Sequence, residues 1–422
     1  MNKYQSKLMQ NLTERGFLYQ CTDPKGLDSL AYKENLTGYI GFDCTAPSLH
    51  VGSLVQIMML RQLQKAGGRP IILLGGGTTK IGDPSDKDKS RPILTDDLIK
   101  KNKEGIGRVF SKFLSFEGPN SAIIVDNNDW LGGLGYINFL RDVGKLFTIN
   151  RMIAMETVKR RIENELPMTF LEFNYPLLQS YDFVELNKRY NCTLQLGGSD
   201  QWGNITNGID LTRRMSGAQC YGFTTPLITT ASGGKMGKTA DGAIWLNSDT
   251  SLGESYSKSS YDYWQFWRNT DDADVGKFFK LFTDLPLSQI DDIEKLTGAD
   301  INKAKIQLAN EVTAMLHGIK AAKEAEATAR DTFEKGLNST GLPTIMIERN
   351  KFEGIGILQA SVLTGLASSN GEGRRHIKAG ALKINDIKVE DFEYKLSKND
   401  LENGCIKISI GKKKHAILKL NN

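Results

Sequence analysis

The chain has 422 residues, 40% hydrophobic and 24% charged, proportions of an ordinary globular protein with enough core for two or three domains. Its five scattered cysteines (Cys21, Cys44, Cys192, Cys220, Cys405) form no CxxC pair, which argues against a disulfide framework or a zinc site and for a reducing compartment. The net charge of +5 is concentrated: from Gly354 onward there are 12 Lys and Arg against 7 Asp and Glu, so a basic tail follows a nearly neutral body, and polyanion binding or a merely solvated surface could explain it.

The opening MNKYQSKLMQNLTERG lacks the apolar core of a signal peptide, and no apolar run reaches a membrane span. A cytoplasmic protein without membrane contact is expected. GYIGFD (38–43) reads as a buried strand, Gly52 to Ala66 as a helix closed by Gly67-Gly68, and PIILL (70–74) as a second strand. Continuous apolar runs joined by a helix indicate a parallel sheet. The grammar repeats in CTLQLGGSDQWGNITNGIDLTRRMSG: a strand at 193–196, a glycine turn, and a helix to about Arg214 stopped by Gly217. TTPLITT is expected to be a further strand. Residues 1–230 thus predict an α/β, Rossmann-like, doubly wound parallel sheet. Residues 231–335 are rich in helix formers, with Asp300 as a candidate N-cap. A Gly- and Pro-containing linker is expected over 336–353, and a separate small module over 354–422.

In open α/β sheets ligands bind beyond the carboxyl ends of the strands. Three polar turns are predicted there: Asp43 to Gly52, GGGTTKIGDPSDK (75–87) and GGSDQWGN (197–204). His50, at a helix start, can donate a hydrogen bond to a phosphate, and Gly52 would leave room for a flat ring. An isolated HxG is more often a loop histidine bonded to a neighbouring carbonyl. SGGKMGKTADG (232–242) sets Lys235 and Lys238 among glycines, with Thr239 alongside, a cationic loop suited to polyphosphate. It misses the P-loop pattern at Ser232, and β-prone residues follow where a P-loop needs a helix. In EFNYPLLQSYDF, Tyr175, Gln179 and Asp182 are spaced to share one helical face, and Pro176 suits the first turn. That face is either solvated or the wall of a polar pocket.

Together these stretches resemble the bacterial tyrosyl-tRNA synthetases, class I aminoacyl-tRNA synthetases, over nearly the whole chain. GYIGFDCTAPSLHVGSL is similar to the family's first signature, GGKMGKT to its lysine signature and GGSDQWGNI to its third active-site turn, with FNYPLLQSYDF lying ahead of the last two. The resemblance implies tyrosine activation by ATP to an adenylate, then transfer to the terminal ribose of tRNA-Tyr. It implies that Tyr39 and Asp182 bind the substrate's phenol hydroxyl, and that Asp83, Tyr175 and Gln179 hold its α-ammonium, with Gln201 nearby. Gly41, Asp43, His50, Gly52, Gly198 and Asp200 would line the ATP site. Lys235, Lys238 and Thr239 would close over the pyrophosphate, Lys87 and Arg91 would add charge from a second loop, and Mg2+ would accompany the phosphates. No resident metal site is implied. The family's first signature usually ends H-x-G-H, whereas this chain has Ser53 at the last position, as a weaker donor or a helix cap.

The last segment, LQASVLTGLASSNGEGRRHIKAGALKINDIKV, reads as two short helices and a hairpin, with Ser368 or Ser369 as a cap and Asn385-Asp386 as the turn. It resembles the S4 RNA-binding fold. Arg374, Arg375 and Lys378 share one helical stretch, and Lys412, Lys413 and Lys414 form a second cluster, both suited to RNA phosphates. The family further implies a homodimer, with 130–153 as the matching apolar region. Lys159, Arg160, Arg161, Arg213 and Arg214 are candidates for the tRNA acceptor stem. The alternatives are a tryptophanyl-tRNA synthetase, a small-molecule adenylyltransferase, and a non-catalytic RNA-binding descendant of a synthetase.

Overall fold

The structure, a computed structural model, describes residues 3–84, 94–229, 236, 238–239, 242–249, 251, 254–334, 342–352, 354–402, 404–411 and 414–420. The chain packs as two compact units. One comprises Met1–Lys238, Ala243–Ser257 and Asp271–Thr297; the other comprises Thr239–Gly242, Lys258–Thr270 and Gly298–Asn422.

The first unit is built on a six-stranded sheet: β1 (Gln20–Cys21), β2 (Thr37–Phe42), β3 (Arg69–Leu74), β4 (Ile123–Asp126), β5 (Leu194–Gly198) and β6 (Tyr221–Thr225). The strand order is β1-β6-β5-β2-β3-β4, parallel throughout except for β1 against β6. Ile71 to Leu74 are all buried, as strands covered on both faces by helices require. The covering helices include α1 (Val51–Lys65), α2 (Asp96–Phe113), α3 (Tyr175–Tyr190) and α4 (Trp202–Ser216), and Gly217 ends α4 at φ 74°. From β2 the chain winds outward through β3 and β4, then returns to build β5 and β6 on the other side. β2 and β5 pair only at Gly38–Leu194 and Tyr39–Gln195. Their carboxyl ends therefore part and open a crevice at the point where the winding reverses.

Two expectations are corrected in this unit. The strand expected in TTPLITT lies earlier, at Tyr221–Thr225, because Pro226 has no N–H for the ladder. Residues 271–297 are helical as expected, but belong to this unit rather than to a separate helical domain. There the helix Val275–Phe282 buries Phe278, Phe279, Leu281 and Phe282. Arg15 donates to the carbonyls of Lys280, Thr283 and Leu285 at 2.7–3.0 Å, satisfying groups that the end of this helix leaves unpaired.

The second unit holds the helices Ser260–Arg268, Ala299–His317 and Ile319–Glu334, with Tyr263, Trp264 and Trp267 buried. Gly298 is the N-cap of the second helix; Asp300 sits in its first turn, where a carboxylate also favours the helix dipole. A five-stranded sheet follows: β7 (Thr344–Ile347), β8 (Leu382–Ile384), β9 (Ile387–Lys388), β10 (Cys405–Ile410) and β11 (Lys414–Leu420), in the order β9-β8-β10-β11-β7. β7 lies within the expected linker 336–353 and pairs parallel with β11. Thr344, Ile345 and Ile347 are β-branched and directly follow Pro343, which explains why this stretch is extended. The two expected helices are Ile357–Leu363 and Asn370–Lys378, the latter capped by Ser369. Asn385 and Asp386 both have positive φ, as a tight hairpin turn demands. No helix among the described residues is long and apolar enough to cross a membrane.

Candidate active site

A cavity of about 470 Å³ occupies the crevice at the carboxyl ends of β2, β3 and β5. Tyr39, Gly41, Asp43, His50, Gly52, Ser53, Asp83, Tyr175, Gln179, Asp182, Gly198, Asp200 and Gln201 all line it. Residues far apart in the chain meet there because each follows or ends a strand, or faces inward from α3.

His50 is the N-cap of α1, and its Nδ1 accepts the Gly52 backbone N–H at 3.0 Å. Because Nδ1 accepts, the neutral ring carries its proton on Nε2. A Cβ on residue 52 would fall 2.6 Å from the His50 ring and 2.9 Å from the Met236 carbonyl oxygen. The space at Gly52 is thus taken by the histidine folding back, rather than left open for a flat ring as expected. Ser53 is the third residue of α1 and donates its backbone N–H to the His50 carbonyl at 2.8 Å. It is not the helix cap, because His50 fills that place. The segment before the histidine is held from the other side as well. Val51 N–H donates to the Ile244 carbonyl at 2.9 Å and Leu246 N–H to the Leu49 carbonyl at 2.8 Å. The His50 and Trp245 rings meet edge-on at 6.0 Å.

The floor of the cavity is dominated by Asp182. Only 1% of the residue is exposed. Its Oδ1 accepts from Trp130 Nε1 at 2.8 Å and its Oδ2 from Asn127 Nδ2 at 3.0 Å. Burial, with the negative charges of Asp43 and Asp126 adding to it, raises its pKa to about 7 against the opposing pull of these two donors. Tyr39 is also 1% exposed, and its hydroxyl has no hydrogen-bond partner among the described residues. Burial, and then the charge of Asp182, raise the Tyr39 phenol well above its ordinary pKa. A buried hydroxyl without a partner beside a buried carboxylate is an arrangement that a ligand hydroxyl would complete.

Along the wall runs an amide relay. Gln179 Nε2 donates to Gln201 Oε1 at 3.2 Å, and Gln201 Nε2 donates to Asp83 Oδ2 at 3.1 Å and Asp200 Oδ2 at 3.0 Å. The buried Oε1 atoms of Gln179 and Gln195 have no partner among the described residues. Carboxylates and acceptor oxygens turned inward suit a cationic group. Tyr175 and Thr78 donate to Asp43 Oδ1 at 3.5 and 3.3 Å, which fixes that carboxylate at the tip of β2.

Lys87, Arg91 and Lys235 lie outside the described residues, as do the side chains of Lys238 and Thr239, whose backbone forms a two-residue strand. Met236, within the lysine signature, is buried and lines the cavity. In the second unit Arg374, Arg375 and Lys378 are exposed and Lys414 is half-buried; Lys412 and Lys413 lie outside the described residues. Arg161 is not a surface cation. It is fully buried, 3.1 Å from the Glu172 carboxylate, and donates to the Pro167 carbonyl.

Sequence reasoning missed Asn127, Trp130, Gln195 and Trp245. The first two follow β4, a strand not expected from the sequence; had IIVD been read as one, the strand-tip rule would have pointed to DNNDW. Among the described residues no cluster of three or more His, Cys, Asp or Glu side chains could hold a metal ion.

The model for tRNA synthetases class I (W and Y) matches residues 31–334, and that for the tyrosine–tRNA ligase SYY-like C-terminal domain matches residues 333–418. The chain is 55% identical to the tyrosine–tRNA ligase of Methylocella silvestris, over 98% of each chain. It is 56% identical to that of Beijerinckia indica, over 98% of this chain and 97% of the other. Among solved structures, the C-terminally truncated mitochondrial tyrosyl-tRNA synthetase of Aspergillus nidulans superposes with a TM-score of 0.69 at 29% identity, covering 78% of this chain and 95% of that one.

Proposed function

The chain belongs to the class I tyrosyl-tRNA synthetases, and from that membership we propose how its residues act as a tyrosine–tRNA ligase. The enzyme activates L-tyrosine with ATP. The substrate carboxylate attacks the α-phosphorus in line, forming a P–O bond as pyrophosphate leaves with its bonding electrons. The tyrosyl group then passes from the adenylate to the 3′-terminal ribose of tRNA-Tyr, and AMP leaves. Neither step needs a covalent bond to the protein; positioning and charge stabilisation carry both.

The observation that best supports the tyrosine assignment is the orphaned, buried Tyr39 hydroxyl beside Asp182. The substrate phenol donates its O–H to the Asp182 carboxylate and accepts from Tyr39. Phenylalanine would leave both partners desolvated and unpaired, so the pocket rejects it; tyrosyl-tRNA synthetases are themselves the standing example of this rule. Asp83, Tyr175 and Gln179, with Gln201, hold the α-ammonium. Gly41, Asp43, His50, Gly52, Gly198 and Asp200 accommodate ATP, and His50 presents its Nε2–H to a phosphate oxygen. Lys235, Lys238 and Thr239, with Lys87 and Arg91, bind the pyrophosphate as its charge develops; binding that strengthens in the transition state raises turnover. Ser53 is a neutral donor at the position of the usual histidine. Mg2+ would accompany the nucleotide, where it would neutralise phosphate charge.

The second unit contributes RNA contacts through Arg374, Arg375 and Lys378, with Lys412, Lys413 and Lys414 as a second cluster. Catalysis belongs to the unit built on the six-stranded sheet, and RNA contact to the S4-like module of the second unit, whose sheet includes Thr344–Ile347. A homodimer is supported by the exposed apolar side chains of Tyr136, Ile137 and Ile149 within 130–153, and by that of Phe170. The enzyme works in the cytoplasm.

The test is amino-acid-dependent exchange of pyrophosphate into ATP by the purified protein. Tyrosine alone should support it. Exchange driven by tryptophan, or no exchange at all, would reject the reading.

A further inference from the structure

Asp182 stands on α3 with its carboxylate held by Trp130, and the face of that indole is also occupied. The Arg189 guanidinium lies 5.2 Å from the centre of the Trp130 ring. We propose that Arg189 is a positioning residue for phenol recognition, fixing and polarising the indole whose N–H holds the Asp182 carboxylate. The inference rests on the reading of Asp182 as the group that accepts the substrate hydroxyl.

The geometry forms a loop that starts and ends on one helix. Asp182, Glu185 and Arg189 follow one another along α3 at spacings of three and four, so they share a stripe. Arg189 Nε donates to Glu185 Oε2 at 2.7 Å, and Tyr181 donates its hydroxyl to Glu185 Oε1 at 2.8 Å. Glu185 is nearly buried, so this anchor sets the guanidinium in one orientation. Trp130, reaching in from the turn after β4, gives its ring face to Arg189 and its one polar atom to Asp182. A cation over an aromatic face is attracted to it and draws electron density from the ring. An indole so polarised is a stronger N–H donor. It is also held against tilting away from the carboxylate.

The direct field of Arg189 at Asp182 is largely cancelled by the Glu185 charge beside it, so the influence passes through the indole. The other groups facing Asp182 are Tyr39 from β2, the Asn127 amide, and the carboxylates of Asp43 at the tip of β2 and Asp126 at the end of β4. Both carboxylates disfavour the ionised form. Trp130 and Asn127 favour it. With the carboxyl titrating at about 7, a change in one of these donors alters how much ionised carboxylate is present in the working pH range. Weakening the indole bond moves the titration upward, so tyrosine is lost at acidic pH first.

The experiment uses the full-length protein and the pH profile of kcat/KM for tyrosine in pyrophosphate exchange. In Arg189→Leu the acid limb should shift to higher pH, with a loss of about threefold at pH 6.5 that disappears by pH 9, and KM for ATP unchanged. Arg189→Lys keeps the cation and should recover at least part of the loss. The proposal is overturned if the Arg189→Leu profile superimposes on the parent, if its loss is the same at every pH, or if Arg189→Lys behaves identically to Arg189→Leu. Asp182→Asn runs alongside. If it leaves tyrosine-dependent exchange intact, the reading of Asp182 itself fails; if it abolishes exchange while Arg189→Leu is silent, only the role of Arg189 fails.

Discussion

His50 caps the helix that it begins: its Nδ1 takes the Gly52 amide hydrogen at 3.0 Å, which commits the ring's own proton to Nε2. One side chain thus does structural work with one nitrogen and keeps the other as a donor, and the two roles can be separated. His50→Asn retains an oxygen able to cap and should keep the thermal midpoint near that of the parent, while tyrosine-dependent exchange falls by about 10²-fold. His50→Ala should lose the same rate and also about 1 kcal/mol of stability. Equal stability of the two variants would show that the cap contributes nothing.

Gly52→Ala should act on the same histidine without touching its chemistry. The added methyl would meet the imidazole and the Met236 carbonyl at under 3 Å. The ring must move, so exchange should fall at least tenfold while tyrosine binding, measured by calorimetry, stays within about twofold.

Ser53→Ala tests the departure from the family pattern. Ser53 lines the cavity, and the helix cap lies elsewhere. A small fall in the activation rate, about two- to fivefold, with stability within about 0.5 kcal/mol, is the outcome for a weak neutral donor. No change in rate would remove the donor role.

Asp182 makes the unliganded protein sensitive to pH in a definite direction. An acid whose folded pKa is raised, here to about 7, adds stability while it is protonated and loses that contribution as pH rises towards and through 7. The thermal midpoint of the free protein should therefore decline between pH 5 and 8. Saturating tyrosine should offset more of that decline at pH 8 than at pH 6, because its phenol bonds the ionised form. Midpoints that do not change with pH, with and without tyrosine, would contradict the burial argument.

In the basic module, Arg374→Ala and Lys378→Ala should weaken tRNA binding, each lowering the salt-dependence slope by about one, while pyrophosphate exchange is unaffected. Filter binding over a salt series reads this directly.

The parallel sheet was legible because fully covered strands are continuous apolar runs ended by glycines, as in PIILLGGG. The polar face of α3 was legible for the same kind of reason, a fixed helical period. Residues that act through their neighbours were not. Asn127 and Trp130 follow a four-residue strand flanked by polar residues, too short for periodicity to mark. The raised pKa of Asp182 depends on groups 52 to 139 positions away in the chain, which no local pattern encodes. Arg161 carried the signal of a solvated charge run until its pairing with Glu172 brought it inside.

The last described strand, β11, has β10 on one flank and, on the other, the four residues of β7 that come some seventy positions earlier. A shortened polypeptide beginning at Gly354 would keep the helices Ile357–Leu363 and Asn370–Lys378 but leave the outer margin of β11 as a raw seam of unmet backbone groups, open to pairing with another copy. A piece starting ahead of Pro343 would carry its own selvedge and stay apart from its neighbours.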